Sequence, residues 1–425
     1  MTKILFCFTF IFLLGTWGVQ GHLHAQSASR PVTINTEARA YSMTERSDWR
    51  RHDNGRYIGL VNHEVRATII PLEAGSVSPE SSGSQFFSGT FIVMQDTLRD
   101  TRRVARPVDA VIHTYYEITD EGEFIVEHDR GFPTLRGFPA IPQVPVYIGY
   151  TWTAPGERAH DPLNIGVPLI VPFTASYEYR GTEMYNGEEV HRIQASYASR
   201  YVEEFPGEHY VTRIQGGHRV DVLVRVSDGI AVLIRDNLDI LYTLDDGNTV
   251  QFRGFNLIFG QGIVPLNRRE VITSIGNTLT VQEVPLPDDI PTPEITSFIL
   301  DHSSIDIEQV PEGIRLSIRD IRFAPDSAEF LPEERYRLDL IAEALLQIPG
   351  RTFLVEGHTA SVGLPGGEMQ LSIERAMRMI DELVRRGLDA ERFIYQGCGG
   401  TRPIADNNSE EGRSRNRRVE ITILE

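Results

Sequence analysis

The residues of this 425-residue chain whose types and spacing could do chemistry are mostly charged, not nucleophilic. Arg375 lies on a segment with helical periodicity, close to Glu368 and Glu374. Arg413, Arg415, Arg417 and Arg418 cluster near the C-terminal end of an otherwise acidic chain. A guanidinium meets a carboxylate through a planar two-pronged fork, so the chemistry these residues offer is anion recognition. The same arginines also suit a solvated helix face and the protection of a strand edge. Catalytic patterns are scarcer. His113, His128, His160 and His191 lie far apart, without the spacing of a metal site. His128-Asp129 and His160-Asp161 are neighbours of a kind common on turns, and Asp120-Glu121 and Asp245-Asp246 stand beside glycines that explain them as turn residues. There is no phosphate-cradling glycine loop and no Gly-x-Ser-x-Gly elbow. Cys398, between Gly397 and Gly399, reads as a small strand residue and not a nucleophile. The expectation is a protein that is not an enzyme and uses no metal or organic cofactor.

These residues need elements to position them, and the chain supplies two kinds. Residues 26–284 read as β-structure. Short β-branched and aromatic runs recur at Ala67 to Ile70, Gly89 to Met94, Ala110 to Ile118, Glu123 to Val126, Val146 to Trp152 and Ser176 to Tyr179. Asn186-Gly187 and Asp246-Gly247 are hairpin signals, because these pairs tolerate the positive φ of a type I′ turn. Asp228-Gly229 joins two alternating runs. In the first, Val220, Val222, Val224 and Val226 share one face while Asp221, Leu223 and Arg225 share the other. No helical periodicity of useful length stands out here. Gly131 to Pro145 is proline-rich and irregular, Gly75 to Gln85 reads as a surface loop, and a division near residue 170 splits the stretch into domains at 26–170 and 171–284.

Prolines 285, 287, 291 and 293 make residues 285–298 an extended linker. Beyond it the period changes. Ile314 to Phe323 alternates as a strand. Leu338, Ile341, Ala342, Leu345 and Ile348 then form a helix face, opened by Pro332 and stopped by Pro349-Gly350. Thr352 to Glu356 is a strand, and Ile373, Ala376, Met377, Ile380, Leu383 and Val384 make a second amphipathic helix closed by Gly387. Phe393 to Gln396 and Val419 to Leu424 complete an α+β unit at 299–425. The fold class is multidomain: an all-β N-terminal part of sandwich or barrel-like modules, then an α+β domain.

At the N-terminus, Lys3, the apolar run Ile4 to Leu14 and the small residues up to Ala25 read as a secretory signal peptide at 1–25, cleaved near Ala25 or Gly21. Cys7 lies inside the apolar run, so no lipobox is evident. No other segment reaches the ~20 apolar residues of a spanning helix. Without the leader only Cys398 remains, so no intramolecular disulfide forms. The net charge of -18 argues against nucleic acid as a partner. The address expected is the periplasm, against the cell wall or outer membrane.

Five blocks in order carry a resemblance: Phe323 to Pro332 with Asp326-Ser327; Val355-Glu-Gly-His-Thr359 continuing through Ala360 to Gly363; Leu371-Ser-Ile-Glu-Arg375-Ala376; Gly397-Cys-Gly399 with Pro403 to Asn407; and Gly412-Arg413 with Asn416-Arg417-Arg418-Val419-Glu420. Together they resemble the OmpA C-terminal domain family. The resemblance implies noncovalent binding of the peptidoglycan stem peptide. The β-rich part, which the resemblance does not cover, is expected to present a separate surface to other envelope proteins, lipid or an envelope polymer. In that family an Asp after His-Thr holds the ammonium of a diamino acid, and the Arg of Leu-Ser-x-x-Arg-Ala holds its carboxylate. Carried over, Arg375 is the arginine and Thr359 precedes the acidic position, but that position is Ala360. The family's Asn before the second helix is Glu368. Asn416 and Arg417 match the tail motif, in a structural role first and a site role second. His358 precedes a turn and reads as structural. Three readings follow: peptidoglycan binding is lost and the domain serves as an envelope scaffold; Glu368 or Asp326 supplies the missing charge; or the pocket suits another diamino acid. An envelope hydrolase with its site in the β-rich part is the remaining alternative, against which the missing motifs weigh.

Overall fold

The structure is a computed structural model that describes residues 31–34, 39–72, 84–96, 106–119, 124–126, 128–204, 207–263, 266–279, 305–319, 321–324 and 327–425. The signal-peptide segment, the proline-rich linker, most of the 75–85 loop and Asp326 lie outside these residues.

The β-rich part comprises β1 (Tyr41–Asp53), β2 (Arg56–Leu72), β3 (Gln85–Asp96), β4 (Arg106–Pro107), β5 (Ala110–Ile118), β6 (Phe124–Val126), β7 (Leu135–Arg136), β8 (Thr151–His160), β9 (Leu169–Tyr185), β10 (Glu188–Val202), β11 (Val211–Arg225), β12 (Ala231–Leu244) and β13 (Thr249–Gly262). All but β4 join one antiparallel sheet of order β6-β5-β3-β2-β1-β13-β12-β11-β10-β9-β8-β7. Neighbours in sequence are neighbours in space, so the sheet is a meander that curls almost into a ring. The first strand closes on the last over its whole length, from Tyr41 opposite Gly262 to Asp53 opposite Val250. Among the described residues, β6 and β7 are not hydrogen-bonded to each other. The boundary placed near residue 170 falls inside β9, and β8 pairs with it across that point, Ala159 opposite Ile170.

Local chemistry sets the hairpins. Asn186 (φ 50°) and Gly187 (φ 84°) turn β9 into β10 with Tyr185 opposite Glu188, the two-residue type I′ turn expected. Asn54 and Gly55 do the same between β1 and β2, at a pair the sequence reading does not mark. Alternation sorts the faces. Val220, Val222 and Val224 are buried with Phe173, Tyr177 and Tyr197 inside the ring. The outer face of β9–β13 carries polar pairs, among them Arg180 with Gln194 at 2.8 Å, Arg192 with Asp221 at 3.2 Å and Gln251 with Asp239 at 2.6 Å. A barrel that faces lipid carries an apolar outer band instead. Among the described residues no helix is long and apolar enough to cross a membrane.

The α+β unit contains β14 (Ile305–Val310), β15 (Gly313–Arg319), β16 (Phe353–Gly357), β17 (Phe393–Gly397) and β18 (Arg418–Leu424), in the order β14-β15-β18-β16-β17-β4. Its helices are α1 (Arg268–Leu279), α2 (Arg335–Leu346), α3 (Pro365–Arg385) and α4 (Glu410–Asn416). The predicted face of α2 is buried throughout, with Ile341 and Leu345 wholly enclosed. On α3 the prediction needs one correction: Met377 is exposed, and Met379 takes its place in the core. The period is right, and the buried stripe is centred slightly to one side of the predicted one.

Two elements reach this unit from upstream. Helix α1 precedes the proline-rich stretch, where the sequence shows no evident helix. Val271, Ile272, Thr273 and Thr278 are poor helix formers, and the helix forms because Ile275 is fully buried in the α+β core. Ser274 and Thr278 also hydrogen-bond Gln347, just beyond α2. Strand β4, an excursion between β3 and β5, adds parallel to β17, Arg106 opposite Ile394 and Pro107 opposite Tyr395. Beside it, Ile92 and Met94 on the outer face of β3 are buried with Val108, Leu354, Ile394 and Leu424. The β-ring and the α+β unit therefore share a small apolar core.

Candidate peptidoglycan-binding site

Of the predicted site residues, Thr359, Glu368 and Arg375 lie where the ends of β16 and β17 meet the first half of α3. Glycines make this approach possible. A side chain on Gly357 would run into the carbonyl oxygen of Ser372, and one on Gly397 would collide with Ile373. Backbone bonds then lock the loops together: Cys398 N–H to Gly357 O at 2.9 Å, Thr359 N–H to Gly399 O at 2.9 Å, and Gly399 N–H to Ser372 Oγ at 2.9 Å.

Arg375 is buried, with 7% of its surface exposed. Its guanidinium lies over the ring of Phe323, 4.6 Å from the centroid, and Nε donates to Ser327 O at 3.4 Å. Asp326, between these two contacts in sequence, lies outside the described residues. Phe323 is the residue that sequence reasoning passed over here. The available signal was an aromatic at the head of the first motif block.

Thr359 and Ala360 are both buried, and Thr359 Oγ1 has no hydrogen-bond partner among the described residues. Glu368 is engaged through one carboxylate oxygen. Its Oε1 accepts from the backbone N–H of Val362 at 2.7 Å and of Gly363 at 2.6 Å, which ties the loop before α3 to the first turn of that helix. Asn416 is fully buried and wholly committed. Oδ1 accepts from Ile404 and Ala405 N–H at 2.8 and 2.9 Å, and Nδ2 donates to Ala405 O and Asn407 Oδ1. Asn407 in turn accepts from Ser361 N–H at 3.1 Å, so Asn416 braces the loop beside Ala360. Arg417 pairs with Glu410 at 2.6 Å on the surface of α4.

Beneath these loops lies a layer of charge. Arg402 donates to Glu356 at 2.7 Å and Arg418 to Glu420 at 2.6 Å, while His358 Nε2 stands 3.4 Å from Glu420. Burial pushes the Glu420 carboxyl up, but His358 and Arg418 outweigh it and hold the group at about 2. Cys398 is buried beside Glu356, and burial followed by that negative charge pushes its thiol up to about 12. It is a packed, protonated thiol. Among the described residues no cluster of His, Cys, Asp and Glu could hold a metal ion.

Comparison with known proteins places the match on this unit. Residues 322–417 match the OmpA family model. Outer membrane protein A of Bordetella avium is 40% identical over 105 residues, which are 25% of this chain and 54% of that protein. The peptidoglycan-binding protein ArfA of Mycobacterium bovis is 36% identical over 103 residues, 24% of this chain and 32% of that protein. The chain thus spans about half or less of the length of these relatives. A solved structure described as the cell wall anchor of the T6SS from Pseudomonas aeruginosa is 35% identical, with 29% of this chain and 90% of that one covered and a TM-score of 0.27.

Proposed function

From the OmpA-family domain at residues 322–417, we propose that this chain is an exported envelope protein. It associates noncovalently with peptidoglycan through that domain and presents its β-ring to other envelope components. The observation that carries the reading is Arg375: the family's carboxylate-binding arginine stands at the matching position, held in place by Phe323 and Ser327. A guanidinium seated this way recognises a stem-peptide carboxylate through geometry and charge together. No step of bond breaking is part of this role. The periplasm is the address, reached through the leader at residues 1–25.

The ammonium end of a stem peptide meets a different surface. Ala360 offers a methyl group where the family has a carboxylate, while one oxygen of Glu368 is taken by the Val362 and Gly363 amides. Binding in this reading rests on the carboxylate half of the ligand. A scaffold that has given up peptidoglycan is the second reading, favoured by that buried methyl.

Co-sedimentation with purified sacculi separates the two. The first reading expects the intact protein to pellet with sacculi, Arg375→Ala to stay in the supernatant, and Ala360→Asp to bind more tightly. Gain of binding only in Ala360→Asp supports the scaffold, and binding unaffected by Arg375→Ala overturns the site.

A further inference from the structure

The interior of the β-ring is not completely filled. A cavity of about 350 Å³ lies within it, walled by apolar side chains that include Trp49, Ile112, Phe132, Ile240 and Phe252. This is the lower end of the ~300–1,000 Å³ range of small-molecule sites. Its rim is formed partly by the loop after β8, which Asp161 fastens by accepting from Ile165 and Gly166 N–H and from the Tyr210 hydroxyl.

Polar side chains also line the cavity, among them Glu45, Arg51, His63, Asp109, Arg130 and Arg158, and Arg158 is held by a buried network behind the wall. Arg158 donates to Asp236 at 2.9 Å and also to the Tyr197 hydroxyl at 2.5 Å. Asp236 is bonded again by His218 at 2.9 Å, and His218 stacks on Tyr197 with its other nitrogen 3.2 Å from Ser199. Glu45 stands within reach of Thr134 at 3.4 Å. Two imidazoles of the wall keep a buried nitrogen without a hydrogen-bond partner among the described residues, His63 Nδ1 and His160 Nε2, and the more deeply buried of the two is His160. It is 2% exposed, its Nδ1 is 2.9 Å from the Tyr242 hydroxyl, and its Nε2 has no hydrogen-bond partner among the described residues. Burial first, then the positive charge of Arg158 and the nearby His218, hold this imidazole well below its ordinary pKa and so neutral.

A buried imidazole nitrogen without a partner carries a desolvation cost that a ligand group would remove. The tautomer decides what that group must be. If Tyr242 donates to Nδ1, then Nε2 carries the proton and seeks an acceptor; if Nδ1 donates to Tyr242, then Nε2 seeks a donor. A hydroxyl satisfies either case. We propose that the β-ring cavity binds a small, neutral, mainly apolar molecule bearing one hydroxyl, which is anchored on His160 Nε2. An anion is a poor fit, because Arg158 is already neutralised by Asp236.

The test uses the full-length protein and the fluorescent probe N-phenyl-1-naphthylamine, displaced by 2-naphthol or by naphthalene. Saturable one-to-one probe binding is expected, with 2-naphthol displacing at concentrations about tenfold lower than naphthalene, a difference of the size one satisfied buried hydrogen bond provides. Ile240→Trp should fill the cavity and abolish binding. His160→Phe should keep the probe and erase the preference for the alcohol. Circular dichroism melts of both variants verify that they are folded; should Ile240→Trp unfold, Leu238→Phe replaces it. No saturable binding by the intact protein, equal displacement by the two competitors, or unchanged binding in a folded cavity-filling variant would each overturn the proposal.

Discussion

The guanidinium of Arg375 lies over the ring of Phe323, 4.6 Å from its centroid, across a separation of fifty-two residues in sequence. The aromatic contact and burial restrict the side chain, so less of its freedom remains to be lost when a carboxylate binds. Arg375→Lys should therefore fail to rescue the site. An ammonium keeps the charge but cannot stack or bind in two prongs. Sacculus affinity is expected to fall at least tenfold in Arg375→Lys, nearly as far as in Arg375→Ala. A lysine variant that binds like the parent would show that charge alone matters.

Acid should destabilise the α+β unit through Glu420. Its carboxyl is held at about 2, below the ordinary 4.5, by His358 and Arg418 against the opposing effect of burial. A depressed carboxyl contributes stability that is full above pH 4.5 and is lost as the pH falls toward 2. The contribution is on the order of 3 kcal/mol. Urea denaturation at stepped pH values should show this loss in the parent and a flatter profile in Glu420→Gln. Identical profiles would remove Glu420 from the account.

Cys398 should be inert while the domain is folded. At pH 8 a thiol pushed up to about 12 is almost wholly protonated, and its sulfur is buried. Iodoacetamide should label it at least a hundredfold more slowly in native protein than in denaturant, as followed by intact mass. Rapid native labelling would contradict the packing around Gly397 and Gly399.

The two units should come apart if charge is placed between them. Met94 is buried against Leu354 and Ile394 of the α+β sheet. Met94→Glu sets a carboxylate in that apolar layer, at a cost of roughly 2–4 kcal/mol. Small-angle scattering should report a larger radius of gyration, and calorimetry should resolve two melting transitions where the parent gives one. An unchanged radius would mean that the polar links, the β4–β17 pairing and His113 with Glu312 at 2.6 Å, hold the units together without the apolar layer.

Much of this architecture was legible in the amino-acid sequence because it is local. A period of two for Val220 to Val226, a period of 3.6 for Leu338 to Ile348 and the positive-φ tolerance of Asn186-Gly187 each depend on a few adjacent residues. The order of the motif blocks likewise identified the α+β domain without any coordinates and marked Arg375 as the arginine of its proposed site. What only the tertiary structure decided is pairing and direction. Periodicity says which face of a strand is buried, but not against whom. The zip of β1 onto β13, the insertion of β4 beside β17 and the docking of α1 are selected by packing over long chain separations. Side-chain direction is decided the same way. Glu368 Oε1 takes the Val362 and Gly363 backbone amides, a direction its place in the sequence does not give. His160, which reads as a turn residue beside Asp161, instead faces a cavity with one nitrogen unpaired. A buried polar atom is costly in proportion to what surrounds it, and those surroundings exist only once the ring has closed.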